Sequence, residues 1–250
     1  MGNLRFLLVE GVKTLVAKAP ENSSKVDNRQ VSDLEAEIVA RLSALADQKT
    51  ASIRGVRREF SQRLSKAPSE LVLRLALKLR RRRAVIFRFV AYELVQHHKS
   101  AFSSLNARSL EELGQGLDSW VAVDTFACYL AGPAWRERQV PEASIRRWAR
   151  SKDRWWRRAA LVSTVALNSK ARGGRGDQPS TVHICAMLVR DRDDMVVKAL
   201  SWALRELAKR DPKSVRGFLA EHEHELAPRV LREVNNKLVS GLKNPHRTRR

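Results

Sequence analysis

Cysteine is almost missing from this chain: Cys128 and Cys185 are the two in 250 residues, and no CxxC spacing occurs. That excludes a disulfide framework and a zinc ribbon and leads us to expect a reducing compartment. No HExxH occurs, His97 and His98 are adjacent, and His222 and His224 point to different helix faces, so no metal site is expected. GGRGD at 173–177 lacks the Lys-Ser/Thr end of a phosphate-binding loop. No apolar run approaches the roughly 18 residues that a membrane span needs. The opening MGNLRFLLVEGVKTLVA has the outline of a signal peptide, but Glu10 and Lys13 interrupt it and no small-residue cleavage site follows. Phe6 stands where a myristoylation signal carries Ser or Thr. The expectation is a soluble, intracellular protein with no membrane, metal or cofactor partner.

Acidic side chains are also in short supply. Against 48 Lys and Arg there are 27 Asp and Glu, a net charge of +21 and a pI near 11. The excess comes in blocks, thirteen basic to three acidic over 51–100, ten to five over 151–200 and twelve to six over 201–250, while 1–50 and 101–150 balance. This is the balance of a polyanion binder. Nucleic acid fits it better than an acidic membrane surface, because no long basic amphipathic helix carries bulky apolar residues on its other face. The run RRRR at 80–83 reads equally well, on its own, as a solvated helix face.

Period-two alternation is absent, whereas 3.6-residue periodicity recurs throughout. Helices are predicted over roughly 4–17, 31–47, 50–65, 68–80, 83–98, 108–116, 119–131, 142–150, 154–169, 179–189, 194–209, 212–223 and 227–241. Three segments align from an aspartate, DSWVAVDTF at 118, DRWWRRAAL at 153 and DDMVVKALS at 193, each with the aspartate where an N-cap belongs. The offsets, 35 and 40, lie at or below the short end of the range for HEAT-type helix pairs. The fold class expected is all-α: an α-solenoid of HEAT-like helical repeats whose concave basic face takes a long ligand such as DNA. Domain boundaries are drawn at an N-terminal helical extension 1–49, the repeat domain 50–242 and a basic tail 243–250. The glycine- and arginine-rich loop KARGGRGDQPS at 170–180 reads as too flexible to pack, placing Arg172 and Arg175 against a phosphate backbone.

Candidate site residues come from helical wheels. On the 194–209 helix Val197, Leu200, Leu204 and Leu207 form the core face, and Lys198, Trp202, Arg205 and Lys209 form a second stripe turned well away from it. Trp202 either contacts a neighbouring helix or presents its ring to a ligand between cations. On the 119–131 helix Val123, Phe126, Ala127 and Leu130 are core, and Trp120 with Asp124 faces outward. Arg158 has Leu161, Val162 and Val165 around it and needs an anion, either the carboxylate of a neighbouring repeat or a phosphate held bidentately.

SWVAVD at 119–124, RWWRRAAL at 154–161 and KALSWALRELAKRDP at 198–212 resemble the bacterial DNA alkylation repair glycosylases of the AlkD type, built from HEAT-like repeats. The resemblance covers roughly residues 50–240. It implies that Trp120, Asp124, Arg158 and Trp202 line the DNA-binding concavity, with Asp124, Trp120 and Trp202 at the chemistry. Arg158, with Arg157, Lys198, Arg205, Lys209, Arg172 and Arg175, would then meet phosphates. It further implies hydrolysis of the N-glycosidic bond of cationic alkylpurines, 3-methyladenine and 7-methylguanine, in duplex DNA without base flipping, by a cytoplasmic, nucleoid-associated monomer. The competing class is a non-catalytic repeat scaffold that binds damaged or structured DNA. The arginine run at 80–83 and the 170–180 loop depart from the family's pattern.

Overall fold

Several helices start where the sequence supplies a side-chain acceptor for the unpaired N–H groups of a first turn. In the computed structural model, which describes residues 27–82 and 84–245, Asp27 caps α1 (Asn28–Ser43) and Asn106 closes a capping box on α6 (Ala107–Gly114). Asp153 caps α10 (Arg154–Asn168) and Asp193 caps α12 (Asp194–Leu207), accepting from the Trp155 and Met195 amides at 2.8 and 2.9 Å. The first aligned aspartate, Asp118, does not cap. Ser119 caps α7 (Trp120–Phe126), and Asp118 accepts instead from Arg88 Nη1 at 2.7 Å. The remaining helices are α2 (Thr50–Arg63), α3 (Ser69–Arg80), α4 (Val85–Gln96), α5 (Lys99–Ser103), α8 (Gly132–Arg136), α9 (Glu142–Ala149), α11 (Gln178–Ala186), α13 (Pro212–Glu221) and α14 (Pro228–Ser240). The helix expected over 4–17, Arg83 and the end of the basic tail lie outside the described residues.

Among the described residues the chain is helical throughout, with no strand. α2, α4, α7, α10, α12 and α14 pack successively as an inner layer. α3, α9, α11 and α13 lie against their backs, and α1 packs on α2 and α3. This is an α-solenoid. One hydrophobic core runs its length from Val31 to Val234. α1 belongs to it through Val31, Ile38 and Leu42, so the boundary expected at 49–50 is not a break in packing. No helix among the described residues is long and apolar enough to cross a membrane.

The helix predicted over 119–131 runs further than its periodicity indicated. α7 passes through a π-helical segment, Ala127–Ala131, directly into α8. Pro133 has no N–H for the α ladder, and the Gly132 amide reaches back five residues to the Ala127 carbonyl. Gly132 is required there by closeness. A Cβ on it would stand 2.5 Å from the Ser163 carbonyl oxygen and 2.6 Å from the Ala166 Cβ, both on α10. Gly132→Ala must therefore push α8 off α10, and we expect about 1–3 kcal/mol of destabilisation in urea unfolding.

The 170–180 loop is not the free segment its composition suggested. Gly174 donates to the Ser169 carbonyl at 2.8 Å and Gly176 to the Leu167 carbonyl at 3.0 Å. Arg210 Nε holds the Asn168 carbonyl and Arg136 Nη1 the Arg172 carbonyl, at 2.9 and 2.8 Å. A Cβ on Gly174 would lie 2.7 Å from Leu167 O and Ser169 N, so glycine here serves close backbone approach rather than mobility.

Candidate nucleic-acid interface

Arg158 is buried on the second turn of α10, and the anion it needs is supplied within the chain. Its Nε and Nη2 each donate to one oxygen of Asp124, both at 2.8 Å, and its Nη1 donates to the Met195 carbonyl in the first turn of α12. One guanidinium thus joins α7, α10 and α12. Of the two partners left open by the sequence, the neighbouring repeat's carboxylate is the one observed, and that carboxylate is the candidate catalytic group. Asp124 is consequently less outward than its helix wheel implied: its side chain is 16% exposed, while Trp120, one turn earlier, is 55% exposed. Burial lifts the Asp124 carboxyl above the usual carboxylate range, and the Arg158 guanidinium opposes that rise.

Trp120, Asp124 and Arg158 open onto a cleft of about 350 Å³ whose other wall is α12, through Lys198, Trp202 and Arg205. Three residues of the second stripe of α12 thus border this cleft, where half-buried Trp202 shares the lining with Asp124. Lys198 is held by Asp194 at 2.6 Å; Arg205 Nε donates to Ser201 at 3.2 Å and lies 4.0 Å from Glu233. Lys243, from the chain following α14, enters the same cleft and pairs with Glu233 at 3.4 Å.

Trp202 also borders a second cleft, of about 590 Å³, toward the C-terminal ends of α4, α10 and α12. Arg54 and Arg57 of α2 reach into it, both anchored on buried Glu93 at 2.8 and 3.0 Å. Arg172 stacks over the Tyr129 ring at 5.5 Å, and Lys209 pairs with Glu206 at 2.7 Å. His97 lies there too, its imidazole pushed toward the neutral form by burial and then by Arg57. Cys128, at the floor, has its thiol pushed up to about 12 by burial and carries no thiolate near neutral pH. The two clefts make one cationic groove with Trp202 on the divide.

Two residues expected at the groove are elsewhere. Arg157 pairs with Asp191 at 2.6 Å and donates to the Ser151 and Lys152 carbonyls, fastening the turns that precede α10 and α12. Arg175 borders a different depression, with Arg138 and Glu142, and lies 3.5 Å from Glu137. Conversely, Arg54, Arg57, Tyr129 and Lys243 line the groove without having been singled out. The basic block over 51–100 was the signal for the first two. Among the described residues, no three His, Cys, Asp or Glu side chains converge as a metal site.

Residues 45–238 match the family model described as DNA alkylation repair enzyme. Among solved structures, the crystal structure of smu.31 from Streptococcus mutans UA159 is similar at 19% identity. The match covers 85% of this chain and 96% of that one, with a TM-score of 0.46. No curated protein matches.

Proposed function

The chain belongs to the DNA alkylation repair enzyme family, and from that premise we propose that it is a monofunctional glycosylase. It hydrolyses the N-glycosidic bond of cationic alkylpurines such as 3-methyladenine and 7-methylguanine, with the lesion left in the duplex. The observation that carries this reading is a carboxylate, Asp124, aimed by a bidentate arginine into a cleft walled by two tryptophans. For binding phosphates alone, a negative charge in the cleft is a cost.

The chemistry needs little else. A cationic purine leaves with the C1′–N9 electron pair and departs neutral, so no acid must protonate it. The deoxyribose becomes an oxocarbenium ion, water adds at C1′, and the water's proton passes to solvent. Asp124 stabilises the sugar cation as it forms, and Trp120 and Trp202 add about 0.5–2 kcal/mol each if their faces meet it. Lys198, Arg205, Lys209 and Arg172 neutralise phosphates along the groove. Arg158 serves by fixing Asp124, and this replaces the phosphate contact expected for it from sequence. The protein works as a cytoplasmic monomer without a cofactor.

One observation favours the scaffold instead: the Arg158 bridge from Asp124 to Met195 ties three inner helices together, a purely mechanical use for both residues. The two readings part on a single assay. Methylated duplex DNA incubated with the native protein should release free 7-methylguanine and 3-methyladenine, and duplex containing uracil should release nothing, because no acid serves that neutral leaving group. Binding should weaken with salt at a log–log slope near −5 if about six phosphates are neutralised. Steep salt dependence without base release makes the protein a scaffold.

A further inference from the structure

The four arginines at 80–83 do not share one fate. Arg82 pairs with Glu35 of α1 at 2.8 Å, and Arg83 lies outside the described residues. Arg80 is buried, and no carboxylate touches it. Its Nη1 and Nη2 donate to the backbone carbonyl and side-chain oxygen of Gln115, at 2.9 and 3.0 Å, and its Nε is buried with no partner. Arg88, also buried, donates from Nε to the Arg80 carbonyl at 3.2 Å and from Nη1 to Asp118, whose side chain is 64% exposed. Arg81 is exposed and has no side-chain partner among the described residues. Two guanidinium groups, those of Arg80 and Arg88, therefore converge on the 115–119 turn with one surface carboxylate in contact, and the charge of Arg81 lies close enough to be felt by Arg80. Removing charge from water without a counter-ion is costly, so an excess of buried cation is a site that an anion completes.

The position of this excess gives it a use. The turn that Arg80 and Arg88 hold leads two residues later to Trp120, the exposed ring at the mouth of the Asp124 cleft. At its tip, Gly116 is exposed with φ of +68°, and Arg88 Nη2 is the one atom within 4 Å of where a side chain would begin. The space above the glycine thus opens on a guanidinium nitrogen.

We propose that Arg81, Arg88 and the buried Arg80 form a phosphate seat for the DNA strand that passes Trp120, on the flank of the lesion away from the Arg54 and Arg172 cleft. This rests on the glycosylase reading for its ligand. The phosphate takes the place of Asp118 on Arg88 and is held laterally by Arg81, while Arg80 keeps the turn in position and adds its charge. Such a contact fixes the register of the duplex, setting which nucleotide faces Asp124.

The test uses the full chain and a short duplex with one central 7-methylguanine, in which each phosphate in turn is replaced by an uncharged methylphosphonate. With the native protein, one position beside the lesion should weaken binding several-fold. In Arg81→Ala that position should become indifferent while the others keep their effects, and the salt slope should fall by about one. Arg81 makes no contact whose loss would unfold the chain, so thermal melts should coincide. An unchanged slope and an unchanged methylphosphonate profile in Arg81→Ala overturn the seat and reduce these arginines to struts for the turn. Base release from the same duplex judges the glycosylase reading separately. A native protein that binds with the expected profile but frees no base keeps the seat and loses the enzyme.

Discussion

Asp124→Asn should release 7-methylguanine from duplex DNA about 10²-fold or more slowly than the native protein in single turnovers, the usual cost of removing one preorganised electrostatic group. The substitution keeps size but not complementarity. One oxygen that accepted from Arg158 becomes an amide that donates, facing a guanidinium that only donates. Arg158 is then a buried cation with half its pairing lost, so some stability should be lost with the rate, and the rates must be compared below both melting temperatures. Affinity for alkylated duplex should hold or tighten, since a negative charge has left the groove and a positive one is freed. A pH profile separates chemistry from folding. Burial raises the Asp124 pKa, so its proton is held more firmly than on an exposed aspartate. The ionised fraction then falls, and base release with it, at a higher pH than an ordinary carboxylate would give. That acid limb should vanish in Asp124→Asn. Native release rates in the variant refute the catalytic assignment.

Most of the helices, the caps Asp153 and Asp193 and the cationic stripe of α12 could be read directly, because each is a local pattern of spacing within one element. Tertiary pairings could not, with one instructive exception. Counted from the true caps, Asp124 lies five residues after Ser119, Arg158 five after Asp153 and Lys198 five after Asp193. Equivalent positions on stacked inner helices face the same cleft, so the spacing holds the Asp124–Arg158 contact in plain view. Taking Asp118 as a cap displaced the first repeat by one residue, about 100° of helix, and hid it. Ser and Asp cap equally well, and only Arg88, thirty residues earlier, decides which of the two does so here. The Arg54–Glu93–Arg57 anchor and the pinning of the 170–180 loop by Arg136 and Arg210 join residues from different repeats with no shared register. Nothing local marks them.

Arg158→Ala should cost about 3–5 kcal/mol of stability, the range for breaking a buried pair and leaving one charge uncompensated. The phosphate contact implied by the family resemblance, one of the two partners the sequence left open, would give a folded, slow variant. Bidentate contact with Asp124 and a third bond to the Met195 carbonyl change that expectation, because the deletion strands a mostly buried carboxylate and unties α7 from α12. If the loss is one of stranded charge, it is not additive. Asp124→Asn combined with Arg158→Ala should then be more stable than Arg158→Ala alone, with a coupling of about 0.5–3 kcal/mol in a double-mutant cycle by urea unfolding. The rate should not recover in the double variant, since Asp124 acts on the sugar and Arg158 acts through Asp124. Arg158→Lys adds a readout that a purely mechanical role would not move: it keeps the charge but not the fork that holds both oxygens. Stability should return in part while base release stays slow. A stable Arg158→Ala whose salt slope falls by one would instead identify Arg158 as a phosphate ligand. The orientation of Asp124 would then have to come from elsewhere in the groove.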